Sequence, residues 1–324
     1  MPPAERIEAF DLLRAAAIFG VVWIHGCDTC VWALRMSRYA SVSVPLFILI
    51  SFFLMQSSAI RHPEVGSWQT LRKRLGRLLP AYAAWSAAYV VVRLAKRAAF
   101  PSADPAALDP VSVVWLGGAS YQLYFIAALI YWSVLSLPLI LFFSRHSRSR
   151  APGAAMLAVA GAGLLWAGAQ ILPQVEIAPQ HSLFAHALLL TGYVPLGMAL
   201  ALWSPAISNR RAVSLVCGGA AAALVVFHPA WGLPAVLSVV LVLWATIRAG
   251  APMPAWIRRI SALSYGIFLV HGFFVEGLQG LASRLSWPLD RAGGATALIL
   301  AAFAFSWLAC EILHRVPRLR WLVA

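Results

Sequence analysis

Long apolar stretches alternate with short polar segments along this chain. An α-helix needs about twenty apolar residues to cross the hydrocarbon core of a bilayer. Ten stretches meet this requirement and predict ten transmembrane helices, at residues 9–31, 40–60, 78–100, 119–143, 152–172, 181–203, 212–228, 230–248, 261–280 and 293–314. The pattern therefore predicts an all-α, polytopic helical bundle, with residues 1–324 forming a single integral-membrane domain.

Composition and charge support this class and suggest an orientation. Hydrophobic residues make up 61% of the chain and charged residues 11%, which excludes a water-soluble domain. With a cytoplasmic amino terminus, 17 of the 25 Lys and Arg residues fall in inside loops and seven in outside loops. The positive-inside rule then predicts that both termini are cytoplasmic. Most of the net charge of +14 comes from the basic residues that set the membrane orientation. We therefore do not expect nucleic acid as a partner.

The first apolar stretch carries four ionisable residues: Asp11, Arg14, His25 and Asp28. At about 100° per helical residue, they fall within an arc of roughly 100°. Intramembrane charges normally face a bundle interior or a wet cavity and mark function. The alternative, charges at the two helix ends, leaves His25 unexplained. His25 is the natural general base of this face, and Asp28, one turn later, is placed to orient its ring.

A basic segment precedes the third stretch, in what we expect to be a cytoplasmic loop over residues 71–82. It contains Arg72, Lys73, Arg74 and Arg77. One interpretation is an anchor on anionic lipid. The other is a phosphate site, because guanidinium groups bind phosphate through paired hydrogen bonds. The segment taken alone does not decide between them.

Further polar residues lie in otherwise apolar stretches, and we expect them to contact substrate together with Asp11. They are Gln122 and Tyr124 in the fourth stretch, and Tyr265, His271 and Glu276 in the ninth. A buried histidine is often a core residue that bonds a neighbouring helix. Two intramembrane histidines with carboxylates nearby are also able to form a proton-handling cavity.

Cys27 and Cys30 form a C-x-x-C pair at the outer end of the first stretch. A structural zinc site needs a second ligand pair, and a redox motif needs a thioredoxin-like context. The sequence has neither, so we expect no metal site. Whether the two cysteines form a disulfide stays open.

Five segments, in order, resemble acyltransferase family 3, a family of integral-membrane acyltransferases. They are RIEAFDLLRAAAIFGVVWIH at 6–25, VPLFILIS at 44–51, RKRLGRLLP at 72–80, YQLYFI at 121–126 and SYGIFLVH at 264–271. Two positions depart from the family pattern: Phe52 replaces a usual Gly, and Gln122 a frequent His. The chain ends without an added extracellular domain, which resembles the short, stand-alone members.

The resemblance implies transfer of an acyl group, most simply acetyl, from cytoplasmic acetyl-CoA to a hydroxyl of an envelope or exported glycan or its lipid-linked precursor. His25 would then be the general base, and Asp28 would orient its ring. Arg14 would bind the donor, and Asp11 would pair with Arg14 when no donor is bound. The basic segment, Arg72, Lys73, Arg74 and Arg77, would bind the CoA phosphates. Direct transfer and a covalent acyl-histidine are both open.

Acyl-CoA is expected as a co-substrate rather than as a permanent cofactor. The other expected partners are the sugar acceptor and the lipid bilayer, in a bacterial-type cytoplasmic (inner) membrane. A homo-oligomer is left open. The alternative function is a proton-coupled transporter or flippase of a glycan or acylated metabolite that uses Arg14, His25, His271 and Glu276 as its proton path. The chain shows no internal repeat of the kind common in transporters.

Overall fold

The structure is a computed structural model that describes residues 7–26, 29–63, 67–99, 109–146, 150–171, 182–203, 232–248 and 252–323. Its α-helices are α1 (Ala9–Gly26), α2 (Val31–Ala40), α3 (Ser43–Arg61), α4 (Ser67–Ala99), α5 (Leu123–Leu135), α6 (Leu137–Arg145), α7 (Arg150–Ile171), α8 (Ser182–Leu189), α9 (Tyr193–Trp203), α10 (Gly232–Ile247), α11 (Ala255–Arg284) and α12 (Ala292–Arg315). A π-helical turn, Ser112–Leu116, precedes α5, and a 3-10 turn, Arg320–Leu322, follows α12. Across the described ranges there is no strand, which confirms the all-α class.

Seven helical segments are long and apolar enough to cross a membrane: Ala9–Gly26, Val31–Arg61, Trp68–Ala99, Arg150–Ile171, Phe184–Trp203, Ala255–Arg284 and Ala292–Arg315. The helices α5 and α6 form an eighth if they are one span, bent by 43° where they meet. Pro138, at the start of α6, explains the break, because its nitrogen has no hydrogen to donate. The predicted seventh span, 212–228, lies outside the described residues, so the count of ten stays a prediction.

Two local expectations are corrected by the structure. The basic segment 71–82 is not a loop, because α4 begins at Ser67 and carries the segment within one continuous helix. Its Leu, Arg and Lys residues are strong helix formers, and Gly76 does not interrupt them. Tyr121 and Gln122 are not helical, since they form the turn that leads from the π-helical turn into α5. This turn places Tyr121 at the candidate functional site.

Contacts along the helices give their relative directions. Asp11 at the start of α1 contacts Ser261 near the start of α11, and the carbonyl of Gly26 accepts a hydrogen bond from Gln279 near its end. The helices α1 and α11 are therefore parallel. We call the end of the bundle with Asp11 and Ser261 the near end, and the end with Gly26 and Gln279 the far end.

The neighbouring helices follow the same frame. Helix α4 is also parallel to α11, because Arg74 lies at the near end, Tyr89 bonds the carbonyl of Leu269, and Lys96 pairs with Glu276 towards the far end. Helix α12 is antiparallel to α11, as its residue Glu311 bonds Arg259 near the start of α11. The beginning of α1 and the end of α12 thus share the near end.

Close packing of α3 against α9 depends on one glycine. A Cβ added at Gly197 in α9 would lie 2.7 Å from the backbone oxygen of Leu49 in α3. Leu49 and Phe52 are fully buried at this crossing. A small residue here lets the two backbones approach, as is common in membrane helix packing.

We expect Gly197→Ala to force α3 and α9 apart and to lower the melting temperature in detergent, at a cost of about 1–3 kcal/mol. Gly163→Ala is the matched control, because a Cβ at this helical glycine meets no atom within 4 Å. The control should be neutral or stabilising by up to about 1 kcal/mol, since alanine favours helix. Equal melting temperatures for the two variants would contradict this interpretation of the crossing.

Candidate functional site

A cavity of about 210 Å³ lies at the near end of the bundle. Arg14 of α1 and Arg74 and Arg77 of α4 line it, which brings together three guanidinium groups from two helices. The remaining wall comes from α3, α4, α5 and α11, and its members are Phe47, Ser51, Leu78, Phe125, Ile126, Leu129, Ser261, Ala262, Ser264, Tyr265 and Phe268. A cluster of cations with an apolar wall behind it is suited to an anion that carries an apolar arm.

Arg74 is held in place by two consecutive residues of α3. Its Nη2 donates a hydrogen bond to Ser51 Oγ at 2.6 Å, and its Cζ lies 5.2 Å from the centre of the Phe52 ring. The second contact has cation–π geometry. Phe52 is a departure from the family pattern, so at this position the chain replaces a glycine with a platform for the guanidinium group.

The cavity offers hydrogen-bond donors whose protein partners are missing. Within the described part of the chain, the Nε of Arg74 and the hydroxyl of Tyr265 are buried without a hydrogen-bond partner. The positive charges of Arg14 and Arg77 also act on Arg74. Buried donors beside concentrated positive charge are costly unless a ligand satisfies them.

The structure places two of the four basic residues of segment 71–82 at the cavity and leaves the other two exposed. Arg74 and Arg77 line the cavity, whereas Arg72 and Lys73 are exposed and are not among its lining residues. Helical geometry accounts for Arg72, because residues two apart lie about 200° from each other, whereas Arg74 and Arg77, three apart, share a face. Lys73, four residues before Arg77, is not separated by periodicity and lies exposed at the side of that face. The CoA role predicted for Arg72 and Lys73 stays a prediction without support from this geometry.

A second polar cluster lies further along the same helices, where His25 is in the last turn of α1. The ring centres of His25 and His271 are 5.5 Å apart, and the Tyr121 ring centre lies 4.5 Å from His25 and 6.1 Å from His271. We call these three residues the histidine cluster. The tertiary structure thus brings together two histidines that are 246 positions apart in the sequence.

A backbone hydrogen bond assigns the tautomer of His271. Its Nδ1 lies 2.7 Å from the carbonyl oxygen of Phe268, so Nδ1 carries the hydrogen and donates it. Nε2 of the neutral ring is then an acceptor. This atom is buried and has no hydrogen-bond partner among the described residues. His271 therefore presents a lone pair towards a space that no described protein donor fills.

One aromatic residue connects the cavity with the histidine cluster. Phe268 lines the cavity, and its ring centre lies 5.8 Å from that of His271 and 5.2 Å from that of Phe125. Along α1, eleven residues separate Arg14 from His25, a distance of about 16 Å. A ligand held by the arginines thus needs an extended arm that passes the two phenylalanines to reach the histidines.

Gln122 belongs to a buried network that joins α4, the turn before α5, and α11. Its amide nitrogen donates to the hydroxyl of Tyr89, and its amide oxygen accepts a hydrogen bond from Ser120 at 2.6 Å. Tyr89 in turn donates to the carbonyl of Leu269 at 2.8 Å. These partners give Gln122 a structural role in holding the turn, while its substrate contact stays a prediction.

Of the remaining predicted site residues, Asp11, Tyr124 and Glu276 are described, and none of them lines the cavity or belongs to the three rings of the histidine cluster. Asp11 is buried and accepts a hydrogen bond from Ser261 at 2.7 Å, which ties α1 to α11. Glu276 forms a half-exposed ion pair with Lys96. Tyr124, in the first turn of α5, packs against the hydrophobic core. Asp28 and Cys27 lie outside the described residues, and Cys30 is buried beside Ala33 and Ile299.

A comparison with protein families identifies the class of this bundle. The family model of the acyltransferase domain in acyltransferase family 3 matches residues 7–311, nearly the whole chain. The chain belongs to this family. Membership confirms the resemblance drawn from the five segments and implies membrane acyltransferase activity. Comparisons with curated proteins and with solved structures give no significant match.

Sequence reasoning missed three residues that the structure places at the sites. Ser51 and Phe52 position Arg74, and Tyr121 packs on His25. The departure at Phe52 was a usable signal, because an aromatic residue in place of a glycine needs a packing reason. Tyr121 had a weaker signal, since it lies next to Gln122 in the polar run before α5.

We expect Gln122→Leu to lower the free energy of unfolding by about 1–3 kcal/mol, because the buried hydroxyls of Ser120 and Tyr89 each lose a partner. The measurement is thermal unfolding in nanodiscs. Gln69→Leu is the matched control, since Gln69 is exposed on α4. A Gln122→Leu variant as stable as this control would show that the network does not hold the turn.

Proposed function

We propose that this acyltransferase moves an acyl group, most simply acetyl, from acyl-CoA at the near end to a hydroxyl of a glycan at the far end. The observation that carries the proposal is the convergence of Arg14, Arg74 and Arg77 on one cavity whose inner wall, Phe268, contacts the histidine cluster. CoA has the matching chemistry, with phosphates at one end and a thioester on an extended arm. A permanently bound cofactor is not needed for this reaction.

The proposed donor site uses the near-end arginines for the phosphates. Guanidinium groups donate paired hydrogen bonds to phosphate oxygens, and the buried Nε of Arg74 and hydroxyl of Tyr265 supply further donors. The apolar wall of Phe47, Phe125 and Leu129 would accommodate the arm of the donor. The near end would be cytoplasmic, in agreement with the excess of basic residues expected on that side.

The proposed chemistry takes place at the histidine cluster. A thioester is already activated, so the enzyme chiefly has to deprotonate the sugar hydroxyl and align the two substrates. His25 would accept the proton of the hydroxyl and then return it to the departing thiolate. The neutral ring of His271 supplies a second acceptor beside it. Orientation of His25 by Asp28 is a further part of the proposal.

The proposed acceptor side rests on topology and on the family resemblance. His25 lies in the last turn of α1, near the far end, so an acceptor reaching it from that side need not cross the bundle. The family resemblance implies glycans or their lipid-linked precursors as acceptors. Donor and acceptor would therefore approach from opposite faces of the membrane, and only the acyl group would cross.

We expect Arg74→Ala to weaken CoA binding by about 1.5–3 kcal/mol, because charged hydrogen bonds to a phosphate are lost. Isothermal titration calorimetry of the purified protein with CoA measures the change. Arg72→Ala is the matched control, since it removes the same charge from an exposed position on the same helix. Equal losses in the two variants would contradict a specific phosphate site and favour a general lipid anchor.

The transfer itself is tested in proteoliposomes of known orientation. Acetyl-CoA labelled in the acetyl group is supplied at the near end, and a panel of methyl glycosides is confined to the far side. We expect labelled glycoside on the far side and free CoA on the near side. His25→Ala should retain CoA binding and lose about 10²–10⁴-fold in rate, the usual contribution of a general base.

The same experiment distinguishes the enzyme from a transporter. A transporter would move intact substrate without releasing any thiol, and its flux would follow an imposed proton gradient. Transport of a labelled glycan without thiol release would overturn the proposal. Thiol release that depends on the acceptor and disappears in His25→Ala would support it.

A further inference from the structure

Tyr121 has a buried hydroxyl that lacks a hydrogen-bond partner among the described residues. Leaving such a group unpaired costs about 1–3 kcal/mol, so buried hydroxyls normally have partners. Two less buried tyrosine hydroxyls near this turn do have partners. Tyr82 donates to the carbonyls of Val113 and Val114, and Tyr131 donates to the carbonyl of Trp115. The unpaired hydroxyl of Tyr121 therefore points to a partner outside the described residues.

Tyr121 is held at the histidine cluster by the packing of its own ring and by the hydrogen bonds of the residue that follows it. Its ring centre is 4.5 Å from that of His25, with the two planes inclined by 42°. The next residue, Gln122, is bound to Tyr89 and Ser120 in the buried network described above. The rings of Tyr121 and His271, whose centres lie 6.1 Å apart, each carry a buried polar atom without a partner among the described residues, a donor on Tyr121 and the acceptor Nε2 on His271.

We propose that the Tyr121 hydroxyl donates a hydrogen bond to the carbonyl oxygen of the acyl group as that oxygen becomes negatively charged during transfer. The inference rests on the proposed function and adds a catalytic residue to it. A preorganised donor aimed at developing charge in a water-poor site is among the largest contributions to catalysis. Tyrosine suits this role because a neutral phenol donates strongly and keeps its own proton at neutral pH.

The step balances without any further reactant. The acceptor oxygen forms a bond to the acyl carbon while His25 takes the hydroxyl proton, and the carbonyl oxygen becomes an oxyanion. Tyr121 stabilises this oxyanion by hydrogen bonding and transfers no proton. When the intermediate collapses, the carbonyl re-forms, the carbon–sulfur bond breaks, and the proton on His25 passes to the CoA thiolate. The products are the ester and free CoA.

Tyr121→Phe tests the proposal because it removes the hydroxyl and keeps the ring that packs on His25. Thiol release from acetyl-CoA is measured with the best methyl glycoside of the panel. We expect kcat to fall by about 100- to 1,000-fold, the usual effect of losing one oxyanion donor, with KM for acetyl-CoA unchanged. Tyr131→Phe is the matched control, since its hydroxyl bonds a backbone carbonyl away from the histidines.

Two further measurements exclude a structural explanation. The melting temperature of Tyr121→Phe should equal or exceed that of the wild type, because an unpaired buried hydroxyl is removed. Binding is compared for two CoA analogues, an acetonyl thioether that mimics the substrate and a trifluoroacetonyl thioether whose hydrate mimics the tetrahedral intermediate. The variant should lose at least about 10-fold in affinity for the second analogue and keep its affinity for the first.

The outcomes that would overturn the proposal are distinct from failure of the proposed function. A Tyr121→Phe variant with wild-type kcat and wild-type analogue affinities removes the role of Tyr121 and leaves the acyltransferase intact. A variant that loses affinity for both analogues and also melts earlier shows a structural role instead. A wild type that binds neither CoA nor its analogues and releases no thiol removes the proposed function itself.

Discussion

The parallel packing of α1 against α11 is the contact on which the rest of this structure depends. Both helices carry polar residues at the same two levels, and the hydrogen bonds from Ser261 to Asp11 and from Gln279 to Gly26 hold them in register. This register sets Arg14 opposite Tyr265 at one level and His25 opposite His271 at the other. A shift of one turn, about 5.4 Å, would separate the two histidines.

The two levels have one feature in common: each contains buried polar atoms without a partner among the described residues, which is costly in an apolar interior. At the near end, Ser51 and Phe52 support Arg74, while the Nε of Arg74 and the hydroxyl of Tyr265 have no hydrogen-bond partner among the described residues. At the far level, the backbone carbonyl of Phe268 accepts a hydrogen bond from Nδ1 of His271, and Nε2 has no partner among the described residues. At each level, one side chain has a nitrogen that is hydrogen-bonded to a described residue and another, buried nitrogen that is not. Incomplete arrangements of this kind are expected where a ligand supplies the other half.

The distance between the arginines and the histidines has a clear chemical use in the proposed reaction. A group with several negative charges crosses a membrane at great cost, whereas a small acyl group crosses easily. In the proposed reaction, arginines at one end and histidines about 16 Å further along α1 would keep these two tasks apart. Phe268 lies between them, so the route from one level to the other is lined with apolar side chains. Such a lining would favour the arm of a thioester donor and exclude water from the reacting atoms.

The sequence by itself determined the class of this protein. The lengths of its apolar stretches require membrane helices, the four ionisable residues of the first stretch share one helical face, and five ordered segments identified the family that the family comparison confirmed. These features are local, because each depends on spacing within a single helix or on a short run of residues. The choice of Arg74 and Arg77 over Arg72 was already implicit in helical periodicity, once the segment was known to be helical, whereas the exclusion of Lys73 needed the tertiary structure.

Only the tertiary structure decided which helices meet and what their side chains contact. Three contacts join residues from different elements of the structure: the pairing of His25 with His271, the platform that Phe52 forms under Arg74, and the position of Tyr121 on His25. Spacing within one helix gives no information about the register of its neighbours, which depends on the shapes of all the packed surfaces together. The prediction of Gln122 as a substrate contact shows the difference. Its polarity was visible in the sequence, but the partners that satisfy it, Tyr89 and Ser120, were assigned only when α4 and the turn before α5 were packed against α11.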